Sequence, residues 1–377
     1  MFFTNKRKRC YISSMSRLCH ILHYTSVTFL CCISLFTNKG AYAAGLNGVF
    51  DAGWTTAYQS LDSLTHMHQR LQSLGMEYVV LQYAAVEATH LYYPSQLDFL
   101  QNTQYKNNQL FPKSIEAAKI AGTKIWLGLY YNGNDWFTPP TIRQLDTLSA
   151  RNVHVLNELY ELYGRETVIE GVYIPQEIAR YYWDGLRDDA TEESLVTHFL
   201  KPLVDAAKVI GWKVMTAPFY NQNLESPEKL QLFFEKLFAA GFKPDVIAVQ
   251  DGIGASDAGK AHADIATVGN YERVVAQACA KYGIEFWVDA ELFRTDDSKA
   301  LADSARISAQ LDTARVAGAV NVIGYDLAVL GNAGLDSLEK WKSQMVGLKK
   351  SRNLNKNLRK LRKFYKLNGA RVYLDRH

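Results

Sequence analysis

The sequence predicts an α/β chain folded as a (β/α)8 TIM barrel, and three observations predict it. Eight short runs rich in Val, Ile and Tyr recur along the chain, as buried parallel strands do. A helix-like run follows each of them. Several helices stop on a glycine just ahead of the next strand, as at Leu74-Gly75, Ile210-Gly211-Trp212, Ala240-Gly241-Phe242 and Tyr282-Gly283. Glycine there supplies the left-handed residue that ends a helix. Strict alternation eight times over suits a closed barrel better than an open sheet.

In order, strands are expected at Gly48–Asp51, Tyr78–Gln82, Lys124–Leu129, Glu170–Ile174, Lys213–Ala217, Asp245–Val249, Ile284–Val288 and Val322–Tyr325. The helices between them are expected at Leu61–Leu74, Ser114–Ala121, Ile142–Tyr163, Glu192–Ile210, Pro227–Ala240, Tyr271–Tyr282 and Ser304–Ala317, with a last one at Leu335–Leu348. Long connections follow the second strand (Tyr83–Pro112), the third (Tyr130–Thr141) and the fourth (Gln176–Asp189), all loaded with aromatics and amides. Loops on that side of a barrel wall its active-site cleft. The run Gly331-Asn332-Ala333-Gly334 reads as a turn and helix start rather than a phosphate loop.

The ends differ from the body. Residues 1–43 hold six Lys/Arg and no acid, and the apolar run Thr25 to Phe36 leads to Ala41-Tyr42-Ala43, small residues at the spacing of a signal-peptidase site. The expectation is an export signal cleaved near Ala43, with Met15 an equally good start as Met1, and a periplasmic or secreted bacterial protein. Of the five cysteines only Cys279 lies beyond that signal, so the mature chain is expected to hold no internal disulfide. Residues 349–377 carry eleven Lys/Arg against one acid. There Leu354, Leu358, Leu361 and Tyr365 fall at helical spacing. That tail is either solvated or a weak contact for membrane or anionic glycan. The body between carries 25 Lys/Arg against 37 Asp/Glu, a net −12 that argues against nucleic acid as partner. Domain boundaries are therefore expected at 1–43, 44–348 and 349–377, the barrel being a monomer.

Two strand ends carry the chemistry. The fourth runs Gly171-Val172-Tyr173-Ile174-Pro175-Gln176-Glu177, and the seventh runs Ile284-Glu285-Phe286-Trp287-Val288-Asp289-Ala290-Glu291. Side chains alternate along a strand. With Val172, Ile174, Phe286 and Val288 toward the helices, Glu177, Asp289 and Glu291 point to the barrel axis. Glycosidic bonds are commonly cut by two carboxyl groups, one donating a proton and one acting as nucleophile or base. The alternative for either glutamate is an ion pair with a rim arginine such as Arg180 or Arg294.

Acid/base on the fourth strand and nucleophile on the seventh resembles the layout of the clan A retaining glycoside hydrolases. The region from about Gly45 to Met345 also resembles a bacterial barrel family catalogued as domain of unknown function 4434. The segments behind that are Val80-Leu81-Gln82, the run ending at Glu177, Val249-Gln250-Asp251-Gly252-Ile253-Gly254 and Asp289-Ala290-Glu291-Leu292-Phe293. The resemblance implies Glu177 as acid/base and Glu291 as nucleophile, without a cofactor or metal. The clan has Asn where Gln176 stands, an aromatic or His near Gln250-Asp251, and Trp near Tyr325-Asp326, so its subsites do not transfer.

The expected activity is exported hydrolysis of an oligo- or polysaccharide by retention. The alternative is a non-hydrolytic carbohydrate-binding barrel accessory to surface polysaccharide export. Tyr130, Trp136, Trp183 and Tyr325 are candidates for stacking on sugar rings. Gln82, Gln176, Asn221, Gln250, Asp251 and Asp289 are candidates for hydroxyl contacts. A Schiff-base aldolase is disfavoured because Lys124 and Lys213 begin strands. Metal-dependent amidohydrolase chemistry is disfavoured because the histidines fall in loops or helices.

Overall fold

A computed structural model describes residues 45–133, 140–180, 191–257, 260–296 and 300–340. Trp136, Trp183, the N-terminal segment and the basic tail lie outside the described residues. Eight parallel strands close into a barrel. They are β1 (Gly48–Asp51), β2 (Tyr78–Leu81), β3 (Lys124–Gly128), β4 (Ile169–Ile174), β5 (Lys213–Thr216), β6 (Val246–Gln250), β7 (Glu285–Glu291) and β8 (Asn321–Tyr325). Each pairs with its neighbour in sequence, and β1 pairs with β8 to complete the ring.

Alternation divides the core into two layers. Phe50, Val80, Trp126, Tyr173, Met215, Ala248, Trp287 and Ile323 fill the barrel interior, one from each strand. The opposite parity, including Val49, Val79, Val172, Ile174, Val249, Phe286 and Val288, packs under the helices. Bulky side chains from every strand make the barrel a packed core rather than a pore. Because Tyr173 and Trp287 point inward, residues an even number of steps beyond them turn toward the axis as well.

The helices are α1 (Leu61–Leu74), α2 (Leu110–Ala121), α3 (Ile142–Tyr163), α4 (Lys201–Val209), α5 (Pro227–Ala239), α6 (Val268–Tyr282) and α7 (Ser304–Ala317). Ser60 caps α1 and Thr141 closes a capping box on α3, so their N-terminal amides are satisfied. Gly75 (φ 89°) ends α1 in the left-handed conformation. Helix α2 starts four residues before the expected Ser114, because Pro112 falls in its first turn, where no intrahelical N–H is needed. A short helix, Glu192–Leu195, and a π turn, Val196–Leu200, lead into α4.

Two further expectations are corrected. Residues 327–340 are already helical, and Gly331 (φ 47°) sits inside that stretch, so the glycine run does not open the helix. The connections after β2 and β3, expected only as long loops, carry strands of their own. Short strands Ala85–Val86, His90–Leu91, Tyr105–Lys106 and Tyr130–Tyr131 form a second, four-stranded sheet. Two-residue strands carry too little periodicity to read from sequence. This small sheet joins two of the loops at the barrel's C-terminal end.

Candidate active site

Strand β4 delivers Glu177 to the mouth. Tyr173 anchors the strand in the interior, edge-on to Phe50 at 5.3 Å. Beyond Ile174 the chain keeps its alternation, so Gln176 and Glu177 face opposite ways. Gln176 is buried, and its amide nitrogen donates to the Tyr130 carbonyl at 2.8 Å. Glu177 opens onto the cleft. It stands deep enough in the mouth that the surrounding protein raises its carboxyl above the usual range, against a hydrogen bond from Gln250 that lowers it. Gln250 is itself fixed by donating to the Ala217 carbonyl at 2.9 Å.

Strand β7 delivers Glu291, which lies on the strand itself, opposite Tyr325 in the β7–β8 register. The backbone N–H groups of Gly254 and Ala255 donate to its Oε2 at 2.6 and 2.5 Å. Its main chain is clamped from outside. Asp251 Oδ1 accepts from the Glu291 N–H at 3.2 Å, and Gln310 and Arg306 donate to the Glu291 carbonyl at 3.1 and 2.7 Å. Asp251 Oδ2 accepts from Gln310 at 2.6 Å, and its Oδ1 also takes the Ile253 N–H at 3.1 Å. Both Asp251 oxygens are therefore spent on holding the β6 and β7 ends in place.

Burial pushes Asp251 and Glu291 upward, the Asp251 charge raises Glu291 further, and the hydrogen-bond donors to each oppose the rise. Asp289, two residues before Glu291 and on the same face, is buried with Oδ1 unpartnered. Burial and then the charges of Glu291 and Asp251 hold it well above the ordinary carboxyl range. The site is therefore a crowd of carboxyl groups that repel one another.

Glu272 of α6 stands behind Asp251, buried, with Oε2 unpartnered, and burial raises it to about 8 from 4.5. Between those two values the unfolded chain has lost a proton that the folded state keeps, so stability falls as pH rises through that window. Glu272→Gln is expected to remove this slope. At pH 8 the variant should exceed the parent by about 2–4 kcal/mol, since each tenfold change in proton affinity is worth about 1.4 kcal/mol and the site relaxes in part. Urea denaturation at pH 4.5 and 8 checks it; equal slopes in the two proteins would refute it.

A cavity of about 230 Å³ opens between the two glutamates, lined by Glu177, Phe219, Gln250, Ala255, His262, Glu291, Phe293 and Tyr325. Phe219 and His262 stack at 6.2 Å, and Phe293 meets Tyr325 at 6.3 Å. Of the residues expected from sequence, Glu177, Glu291, Gln250 and Tyr325 are brought together here. Gln82 adjoins them through a hydrogen bond to the Tyr325 hydroxyl. Tyr130 is buried against Phe99 and bonded by Arg151 at 3.2 Å, on a separate cavity. Asn221 is buried in the turn after β5, where its Oδ1 accepts from the Asn223 N–H.

The rim arginines are engaged elsewhere, Arg180 with Glu225 at 2.8 Å and Arg294 with Asp296 at 2.5 Å. Phe219 and Phe293 were missed, although each lies two residues beyond an inward position and parity would have found them. His262 has no such signal. Among the described residues no cluster of His, Cys, Asp or Glu is arranged to hold a metal ion. A larger cavity, about 400 Å³, lies at the N-terminal strand ends, lined by Lys213, Lys243, Glu170 and Glu285 among others.

Fold and site together define a (β/α)8 barrel with an acidic cleft at its C-terminal mouth. A family model described as Domain of unknown function (DUF4434) matches residues 62–332, and the chain belongs to that family. Among solved structures, a candidate alpha-L-fucosidase from Bacteroides thetaiotaomicron VPI-5482 is similar at 17% identity and a TM-score of 0.63, covering 79% of this chain and 93% of that one. The endo-1,4-beta-D-mannanase from Thermotoga petrophila RKU-1 is similar at 11% identity and a TM-score of 0.50, covering 74% and 88%. The barrel is thus a fold that glycoside hydrolases use. No curated protein matches by sequence.

Proposed function

We propose that the protein is a retaining glycoside hydrolase of oligo- or polysaccharides, exported through its N-terminal segment. The observation that carries this reading is that Glu177, just beyond β4, and Glu291, on β7, line one cavity. Close spacing, about 5–5.5 Å, accompanies retention, whereas inversion needs room for a water between the groups.

In this mechanism Glu177 donates its proton to the glycosidic oxygen as Glu291 attacks the anomeric carbon. The leaving alcohol carries that proton away, and a glycosyl ester forms on Glu291. Glu177, now a carboxylate, takes a proton from water as the water attacks the same carbon, which frees Glu291. The amides of Gly254 and Ala255 favour the Glu291 anion before attack and after release. With Oε2 occupied by those amides, Oε1 is the oxygen placed to bond the sugar.

Proton NMR of the first-formed sugar tests the proposal on any glycoside the protein cleaves. The product should carry the anomeric configuration of the substrate. An inverted product would replace Glu291 as nucleophile with Glu291 as base. Binding without turnover across a broad panel of glycosides would favour the carbohydrate-binding alternative.

A further inference from the structure

Beside the cleft, the turn after β1 carries an indole into solvent. Trp54 is 45% exposed. His90 and Tyr92 meet its ring nearly edge-on, at 5.0 Å and 80° and at 6.5 Å and 72°. Perpendicular contacts of this kind hold an aromatic ring in place, and nearly half of this one still meets solvent. On the inner side Tyr83 lies 6.0 Å from Trp54 and 5.4 Å from Tyr131. On the outer side His90 lies 5.0 Å from Tyr105, which is 47% exposed.

Tyr83 belongs to the glutamate site as well, near enough to Glu177 and Tyr325 to feel both. The rings therefore run from Tyr83 through Trp54 and His90 to Tyr105.

This row is built on rigid backbone. Asp51 Oδ1 accepts from the Gly53 N–H at 2.9 Å and from the Thr56 hydroxyl at 2.7 Å, tying both sides of Trp54. Gly53 adopts φ 80°, and a Cβ there would lie 3.0 Å from both Leu110 and Tyr92. His90 and Tyr105 face each other across adjacent strands of the small second sheet. A ring so fixed loses little freedom when a ligand covers it, and the water it releases favours association. Sugar rings present apolar C–H faces with hydroxyls at the rim, which suits an aromatic face in water.

We propose that Trp54, backed by His90 and Tyr105, is a distal stacking platform for a polysaccharide chain whose scissile bond lies between Glu177 and Glu291. The platform rests on the glycosidase reading for its register but has its own test. The substrate class is then a polymer laid along the cleft, not a single terminal sugar.

Affinity electrophoresis in gels containing galactomannan, arabinoxylan, mixed-linkage β-glucan or alginate reads platform binding. Hydrolysis of the retarding polymer, compared with an aryl glycoside, reads its coupling to cleavage. The parent protein should be retarded by at least one polymer. Trp54→Ala should lose that retardation and lower the polymer-to-aryl-glycoside activity ratio at least tenfold. Trp54→Phe, which keeps an aromatic face, should recover most of both, separating stacking from misfolding. Glu177→Gln should stay retarded while polymer cleavage is lost.

Absence of retardation of the parent in all four gels would overturn the platform. So would unaltered retardation of Trp54→Ala, or a Trp54→Phe variant no better than it. Retention of polymer cleavage by Glu177→Gln would instead sink the glutamate pair and leave the platform standing.

Discussion

Glu177→Gln is expected to lower hydrolysis of an unactivated glycoside by about 10²–10⁴-fold, the range ascribed to a positioned general acid or base. The variant keeps the shape and the Gln250 contact and removes only the transferable proton. Its effect should depend on the leaving group. A dinitrophenyl glycoside departs without protonation, so its first step should be nearly spared and the glycosyl-enzyme should accumulate. Glu291→Gln, lacking the nucleophile, should fail on both substrates.

The pH profile offers a second readout. Burial raises the Glu177 carboxyl, and an acid acts only while it holds its proton. Activity should therefore persist above the ordinary carboxyl range and fall on an alkaline limb as Glu177 ionises. Glu177→Gln should lack that limb. Full turnover of an unactivated glycoside by Glu177→Gln would remove Glu177 from the mechanism.

Arg180→Met is expected to destabilise the fold by about 3–5 kcal/mol, the cost of breaking a buried ion pair by removing one partner. Arg180 Nε donates to Glu225 Oε2 at 2.8 Å, and the two side chains are 10% and 0% exposed. The pair joins the segment that follows Glu177 to the turn after β5. Without the guanidinium, Glu225 loses its Nε contact at a position with no side-chain exposure. Glu225→Gln in the same chain should restore part of the loss, since a neutral amide costs less to bury than a carboxylate. Urea midpoints of the two single variants and the double variant measure this, and a single-variant loss under about 1 kcal/mol would be that of a surface pair.

Periodicity made the barrel legible. Strand β1 and helices α1, α3 and α7 fall where the sequence places them, because each is a long or cleanly bounded run of one period. Period-2 alternation also placed Glu177, Asp289 and Glu291 inward. The same rule, applied further, bears on two pairs of neighbours. Gln250 lines the cavity, so Asp251, the next residue, turns outward to Gln310. Likewise Gln176 turns away as Glu177 faces in. Consecutive residues on a strand do not share a face. What sequence could not supply is partnership across distance. Gln310 lies 59 positions from Asp251, and Gly254 lies 37 from Glu291. No local pattern marks such pairs. The aromatic row at Trp54 was hidden similarly, because its support comes from the small second sheet.

The two amides that hold Glu291 belong to the main chain, so among substitutions only proline deletes a donor outright. What other substitutions can do is displace them. A Cβ at position 254 would sit 2.8 Å from the Phe293 carbonyl and 2.9 Å from the Glu291 Cβ. The residue that protects the Glu291 oxygen is thus recognisable only by an atom it lacks. A search for relatives that share this chemistry should weigh that glycine equally with the acid it serves, since an acid without it would stand in a different field.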